Sequence, residues 1–141
     1  MKTVQLTQRQ TPDFRALIRS ESGALFDAAV DLATAEELAA EGIDRAPISC
    51  SIFYDPTGVA AYASSTSTAS PVPGFENLAI DASAFAEPAS VEASELGYNF
   101  RYSPPSRISF PFEKPGTYFV DFLIYPKNGA ALAFRVGAEV R

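Results

Sequence analysis

Few residues in this chain are equipped for chemistry. Its one thiol is Cys50, and it contains no histidine. A single cysteine excludes an internal disulfide and any thiolate cluster. Without imidazole neither a Ser-His-Asp nor a Cys-His arrangement can be assembled, nor the usual zinc, copper and haem ligand sets. Carboxylate pairs could still run acid–base work, but the only adjacent acids are Glu36 and Glu37, and these suit the first turn of a short helix. Asp121 is the best isolated acid; it sits inside an aromatic run, and a cross-strand partner such as Arg135 would satisfy it. There is no D-x-D-x-D-G string for calcium and no glycine-rich phosphate loop. Cys50 has no basic neighbour in sequence to activate it and reads as a small buried apolar side chain. Tyr98, Tyr102, Tyr118 and Tyr125 could together form a stacking platform for a sugar, although tyrosines at a two-residue period more often pack a core. No catalytic residue, cofactor or metal is therefore expected, and the chain is read as not an enzyme.

Function must then lie in surfaces. Eleven Lys and Arg against 17 Asp and Glu give a net charge of −6, which disfavours nucleic acid and anionic lipid as partners. No apolar run approaches the ~18 residues of a membrane span, and the opening Met1–Gln8 carries a charge without the apolar segment of a secretory leader. Between Ala46 and Phe100 there is no Lys or Arg, while Asp55, Glu76, Asp81, Glu87, Glu92 and Glu95 all fall there. The polar, Pro/Gly-terminated run Ser64–Gly74 opens this stretch, so residues 64–96 are expected to form an extended loop or acidic arm that docks outside its own core. Its candidate contacts are Phe75, Glu76, Asp81, Phe85, Glu87, Glu92 and Glu95. Phe119, Leu123 and Tyr125 join them, as the surplus apolar face of the strand Thr117–Tyr125.

The elements that must carry these residues are nearly all strands. Phe14, Ala16 and Ile18 alternate with charged neighbours, and Ser20–Gly23 can turn the chain back into Ala24–Asp31, giving a hairpin, although the alanines of that second segment would equally suit a helix. Thr34 with Glu37 has the spacing of a capping box, and Gly42 can end the two-turn helix that follows. Ile48, Cys50 and Ile52 point inward from a strand with Ser49 and Ser51 outward. The turn Asp55–Gly58 would lead to a partner strand at Val59–Ala63. Tyr98–Tyr102, Arg107–Phe112 and Thr117–Tyr125 are further strands. The last of these is apolar on both faces, and Asn128-Gly129 turns it into Ala130–Val140. The count points to one domain, 1–141, with an all-β, antiparallel sandwich of Ig-like or jelly-roll-like type, an antiparallel barrel being the weaker alternative.

Two stretches also resemble a known family. Gln5-Leu6-Thr7-Gln8 followed by Thr11-Pro12-Asp13-Phe14-Arg15-Ala16, and Pro115-Gly116-Thr117-Tyr118-Phe119-Val120-Asp121-Phe122 with the Asn128-Gly129 turn and Phe134, resemble the N-terminal β-sandwich domain of phage baseplate upper proteins. The helix near Thr34–Glu41 and the segment 64–96 have no counterpart there, and the family domain brings no catalytic motif. The resemblance implies a virion structural protein of tail, baseplate, connector or decoration type that is located in the particle and contacts copies of itself and other virion proteins. A carbohydrate-binding or adhesion module is the alternative.

Overall fold

The computed structural model describes residues 2–6, 12–55, 69–85, 97–104 and 112–141. The fold is all-β, with one short α-helix among the described residues. Its strands are β1 (Lys2–Leu6), β2 (Phe14–Ala16), β3 (Ile48–Asp55), β4 (Ser70–Pro71), β5 (Leu78–Ala79), β6 (Phe100–Tyr102), β7 (Gly116–Ile124) and β8 (Leu132–Val140), and its helix is α1 (Ala35–Ala40).

Six strands form the main sheet, in the order β1-β8-β7-β3-β4, with β5 also on β3. β7 and β8 pair from Gly116 opposite Val140 to Ile124 opposite Leu132, joined by residues 125–131, a longer connection around Asn128-Gly129 than the expected tight turn. Gly129 takes a positive φ of 92° there, which glycine adopts without cost. β3 lies antiparallel on the other side of β7, with Cys50 opposite Phe122. β1 joins at the far edge and runs parallel to β8, Lys2 beside Val136 and Leu6 beside Val140. One face of this sheet carries Ile48, Cys50, Ile52, Tyr118, Val120, Phe122 and Ile124, all buried.

The ribbon β2–β6 covers that face. Phe14 opposes Tyr102, and Ala16 opposes Phe100. Phe122 is the hub: the rings of Phe14, Phe100, Tyr102 and Phe134 lie 5.9, 5.4, 6.2 and 4.9 Å from its own. Three of these four contacts are edge-on, a geometry aromatic quadrupoles favour.

The expected hairpin between Phe14–Ile18 and Ala24–Asp31 is shortened to the bridge of Arg19 opposite Leu25, flanked by Phe26 N–H donating to the Ile18 carbonyl and Ser20 N–H to that of Ala24. Other partners take the backbone on either side. The ribbon partner of β2 is β6, and the buried side chain of Asn99 captures Ile18, accepting from its N–H at 2.7 Å and donating to its carbonyl at 2.8 Å. Residues 27–31 then close a turn in which Asp31 N–H donates to the Asp27 carbonyl. The helix forms as expected, with Thr34 and Glu37 exchanging both capping-box hydrogen bonds and Gly42 at φ 78°.

Residues 69–85 correct the expectation of an outlying arm. They run along β3 as an interrupted partner strand. Phe53 and Tyr54 pair with Pro71 and Ser70, and Ser49 and Cys50 pair with Ala79 and Leu78. Ile52 N–H donates to the Phe75 carbonyl, and Ile80 N–H to that of Ile48. A strand as apolar as β3 cannot leave its second edge open, and Phe75, Ile80 and Phe85 fill the core beside it. The partner strand expected at Val59–Ala63 lies outside the described residues, as do residues 107–111 of the strand expected at Arg107–Phe112, and residues 64–68 and 86–96.

Candidate interaction face

The face of the main sheet opposite the core is built in cross-strand rows. Ser49, Leu123 and Ala133 form one row; Ser51, Asp121 and Arg135 form the next; Phe53, Phe119 and Gly137 form the third. Small side chains in the first rows leave a cleft of about 500 Å³, walled by Arg45, Asn77 and Phe53 as well as by Arg135.

Asp121 and Arg135 meet as expected from their facing strands. Arg135 Nε donates to Asp121 Oδ1 at 2.6 Å and Nη2 to Oδ2 at 3.1 Å, a two-pronged pair. Such pairing fixes the plane of the guanidinium, which lies 4.0 Å over the ring of Phe119. Phe53 stacks on the other side of that ring at 4.9 Å. Phe119 is thereby 0% exposed. It is no surplus apolar surface, because a cation from the neighbouring strand covers it.

The remaining expected contacts divide in the same way. Phe75 and Phe85 are buried, at 5% and 8% exposure, and cannot meet a partner; packing inward from the β3 edge removes them from the surface. Glu76 and Asp81 are exposed. Asp81 caps its own turn, accepting from Ser83 N–H at 2.8 Å, and that hydrogen bond holds its carboxyl below the ordinary range. Leu123 and Tyr125 are half-buried, and Leu123 lines the cleft. Glu87, Glu92 and Glu95 lie outside the described residues.

No shared platform gathers the tyrosines. Tyr118 is buried and its hydroxyl donates to the Lys114 carbonyl. Tyr102 packs on Phe122 and hydrogen-bonds Cys50. Tyr98 lies under Arg15. Cys50 is 1% exposed, and burial pushes its thiol up to about 11, the inert state expected of a core cysteine.

No protein-family profile, curated protein or solved structure matches the chain.

Sequence reading passed over Arg45 and Asn77. Arg45 Nη1 donates to Asn77 Oδ1 at 3.1 Å, and Asn77 N–H donates to Ser51 Oγ at 2.9 Å. Asn77 holds a φ of 49°, a left-handed conformation that Asn tolerates better than most side chains. The available signal was the outward pair Ser49 and Ser51: two small polar residues on the exposed side of a buried strand leave room for a cleft. A second basic cluster lies on the ribbon. Arg15 and Arg101 oppose one another in register, and Asp13 bridges them at 3.0 and 2.9 Å. Burial pushes the Asp13 carboxyl up, but hydrogen bonds from Arg101 and Arg15 outweigh it and hold the group below its usual range. Among the described residues no helix is long and apolar enough to cross a membrane.

Proposed function

We propose that this chain is a non-enzymatic assembly subunit of a phage particle, working through protein–protein contacts with copies of itself and with other virion proteins. One observation carries the reading: the contrast between the two edges of the main sheet. At one edge β4 and β5 are two residues each, interrupted and bearing Pro71, which blunts them against further pairing. At the other edge β1 is an unbroken five-residue strand, Lys2-Thr3-Val4-Gln5-Leu6, without proline. Among the described residues nothing pairs with its outer side. A regular edge of that kind is a template for an added strand. The particle itself is proposed on the strength of the family resemblance at the two stretches quoted above.

Light scattering on the purified protein, alone and mixed with the products of neighbouring genes, tests this. A mass above that of one chain, or co-elution with a neighbour, is expected. Single prolines at Thr3 and Val4 extend the test. Neighbouring N–H groups along a strand point to opposite sides, so one of the two substitutions strikes the open side and should abolish assembly while the fold persists. A monomer that ignores its neighbours and binds a glycan would overturn the reading in favour of the adhesion module.

A further inference from the structure

The cleft does not end at Arg45. A second hollow of about 630 Å³ continues from it and shares Arg45, Ser49 and Asn77; its far wall is α1 and the residues behind it, Ala35, Ala39 and Asp44. The two together form one trough, from Arg135 across the sheet to the helix. Its charge is segregated. Between Ser20 and Asp44 the chain carries seven carboxylates and no Lys or Arg. Of those on α1 and just behind it, Glu37 reaches Lys127 at 3.7 Å, whereas Glu36, Glu41 and Asp44 are exposed and form no ion pair among the described residues, and Asp44 lines the trough. At the junction of the two hollows Arg45 is equally exposed. It bonds to the neutral Asn77 and likewise has no carboxylate partner among the described residues.

An unpaired cation and an unpaired carboxylate thus adjoin on one surface, Asp44 and Arg45 being consecutive in sequence and both lining the trough. A surface that carries both halves of a complementary pair is what a two-fold axis requires, because each residue must meet its counterpart on an identical copy. A chain of net charge −6 repels copies of itself at long range, so a self-contact needs local complementarity of this kind. We propose that the trough seats the α1 surface of a second copy, Arg45 of each chain facing Asp44 and its acidic neighbours on the other, and closes a two-fold dimer. This rests on the assembly reading and names its partner.

Charge reversal tests it, because both side chains are exposed and either can be exchanged without touching the core. Sedimentation velocity of the full chain across a concentration series should show a dimer weakened about tenfold or more by Arg45→Glu and by Asp44→Arg. The double variant Asp44→Arg/Arg45→Asp, which exchanges the two charges, should restore it. Circular dichroism confirms that each variant is folded. A wild-type chain that stays monomeric throughout, single reversals that leave the dimer unchanged, or a double variant that fails to recover would each overturn the proposal. The two readings are separable: if the prolines in β1 dissolve the complexes and the charge reversals do not, the open edge is the interface and the trough proposal alone fails.

Discussion

Asn99 offers the sharpest test of how the ribbon is held to the rest of the molecule. It is 1% exposed and substitutes for a short strand: its side chain accepts from Ile18 N–H at 2.7 Å, donates to the Ile18 carbonyl at 2.8 Å and reaches the Phe26 carbonyl at 3.4 Å. Asn99→Ala strands the Ile18 N–H in a buried site, while the Ile18 carbonyl keeps its second donor, Phe26 N–H at 3.0 Å. At about 1–3 kcal/mol for one unsatisfied buried group, the loss is a substantial share of the roughly 5–15 kcal/mol by which domains are ordinarily stable. Asn99→Asp separates the two halves of the bond. It retains an acceptor for Ile18 N–H but turns a carboxylate oxygen toward two carbonyls, so the folded state favours the protonated acid and raises its pKa. Between the unfolded and the raised folded value the native state binds more protons, and stability therefore falls as pH rises through that window. Urea unfolding followed by far-ultraviolet circular dichroism, at neutral and mildly acidic pH, reads both effects as midpoint shifts at constant slope. A loss below ~1 kcal/mol for Asn99→Ala, or an Asn99→Asp variant no more stable at acid than at neutral pH relative to wild type, would refute the assignment of Asn99 as the clamp.

Other outcomes follow from the core and its margins. Phe122→Ala, at the hub of four rings, should cost on the order of 3–5 kcal/mol in the same denaturant titration. Gly116→Ala should lose about 1–3 kcal/mol, because Gly116 holds a φ of 135° and a Cβ there would meet Tyr54 Cε2 at 2.9 Å; thermal unfolding of the variant measures it. The Cys50 thiol should resist a colourimetric thiol reagent at about pH 8 until the chain unfolds. Its folded value of about 11 also implies stability present below its ordinary range near ~8.5–9 and lost as pH rises toward 11. Asp13→Asn leaves Arg15 and Arg101 directly opposed, and should cost up to about 1 kcal/mol, more at low ionic strength than at high, by unfolding at two salt concentrations.

What the sequence disclosed was local grammar. A two-residue period located β3, β7 and β8, Asn128-Gly129 marked the connection between the last two, and Thr34 with Glu37 marked the helix start, because each signal lies within a few residues of what it specifies. The Asp121–Arg135 pair was legible for the same reason, being fixed once the hairpin register was. Contacts between distant segments were not. Periodicity shows that Phe119 lies on the second face of its strand, but not that Arg135 would lie flat over it. Nor does the composition of residues 69–85, small and acidic, reveal that Phe75, Ile80 and Phe85 anchor the segment to β3. Asn99 looked like any polar residue alternating with tyrosines; its role depends on Ile18 and Phe26 arriving beside it. The cleft at Arg45 and Asn77 was hidden likewise, since its walls come from different parts of the chain.

The order of the main sheet also sets a schedule for synthesis. β3 is made early but needs β7, Cys50 against Phe122, and β1 can pair only when Val136 to Val140 have been made. At a translation rate of about 5–20 residues per second, the apolar β3 waits on the order of 4–14 s after its completion before its central neighbour exists. β4 and β5, made soon after it, are the first strands of its own sheet to follow. The tandem of short strands thus offers the nascent chain a partner for one edge of β3 before the final hairpin arrives.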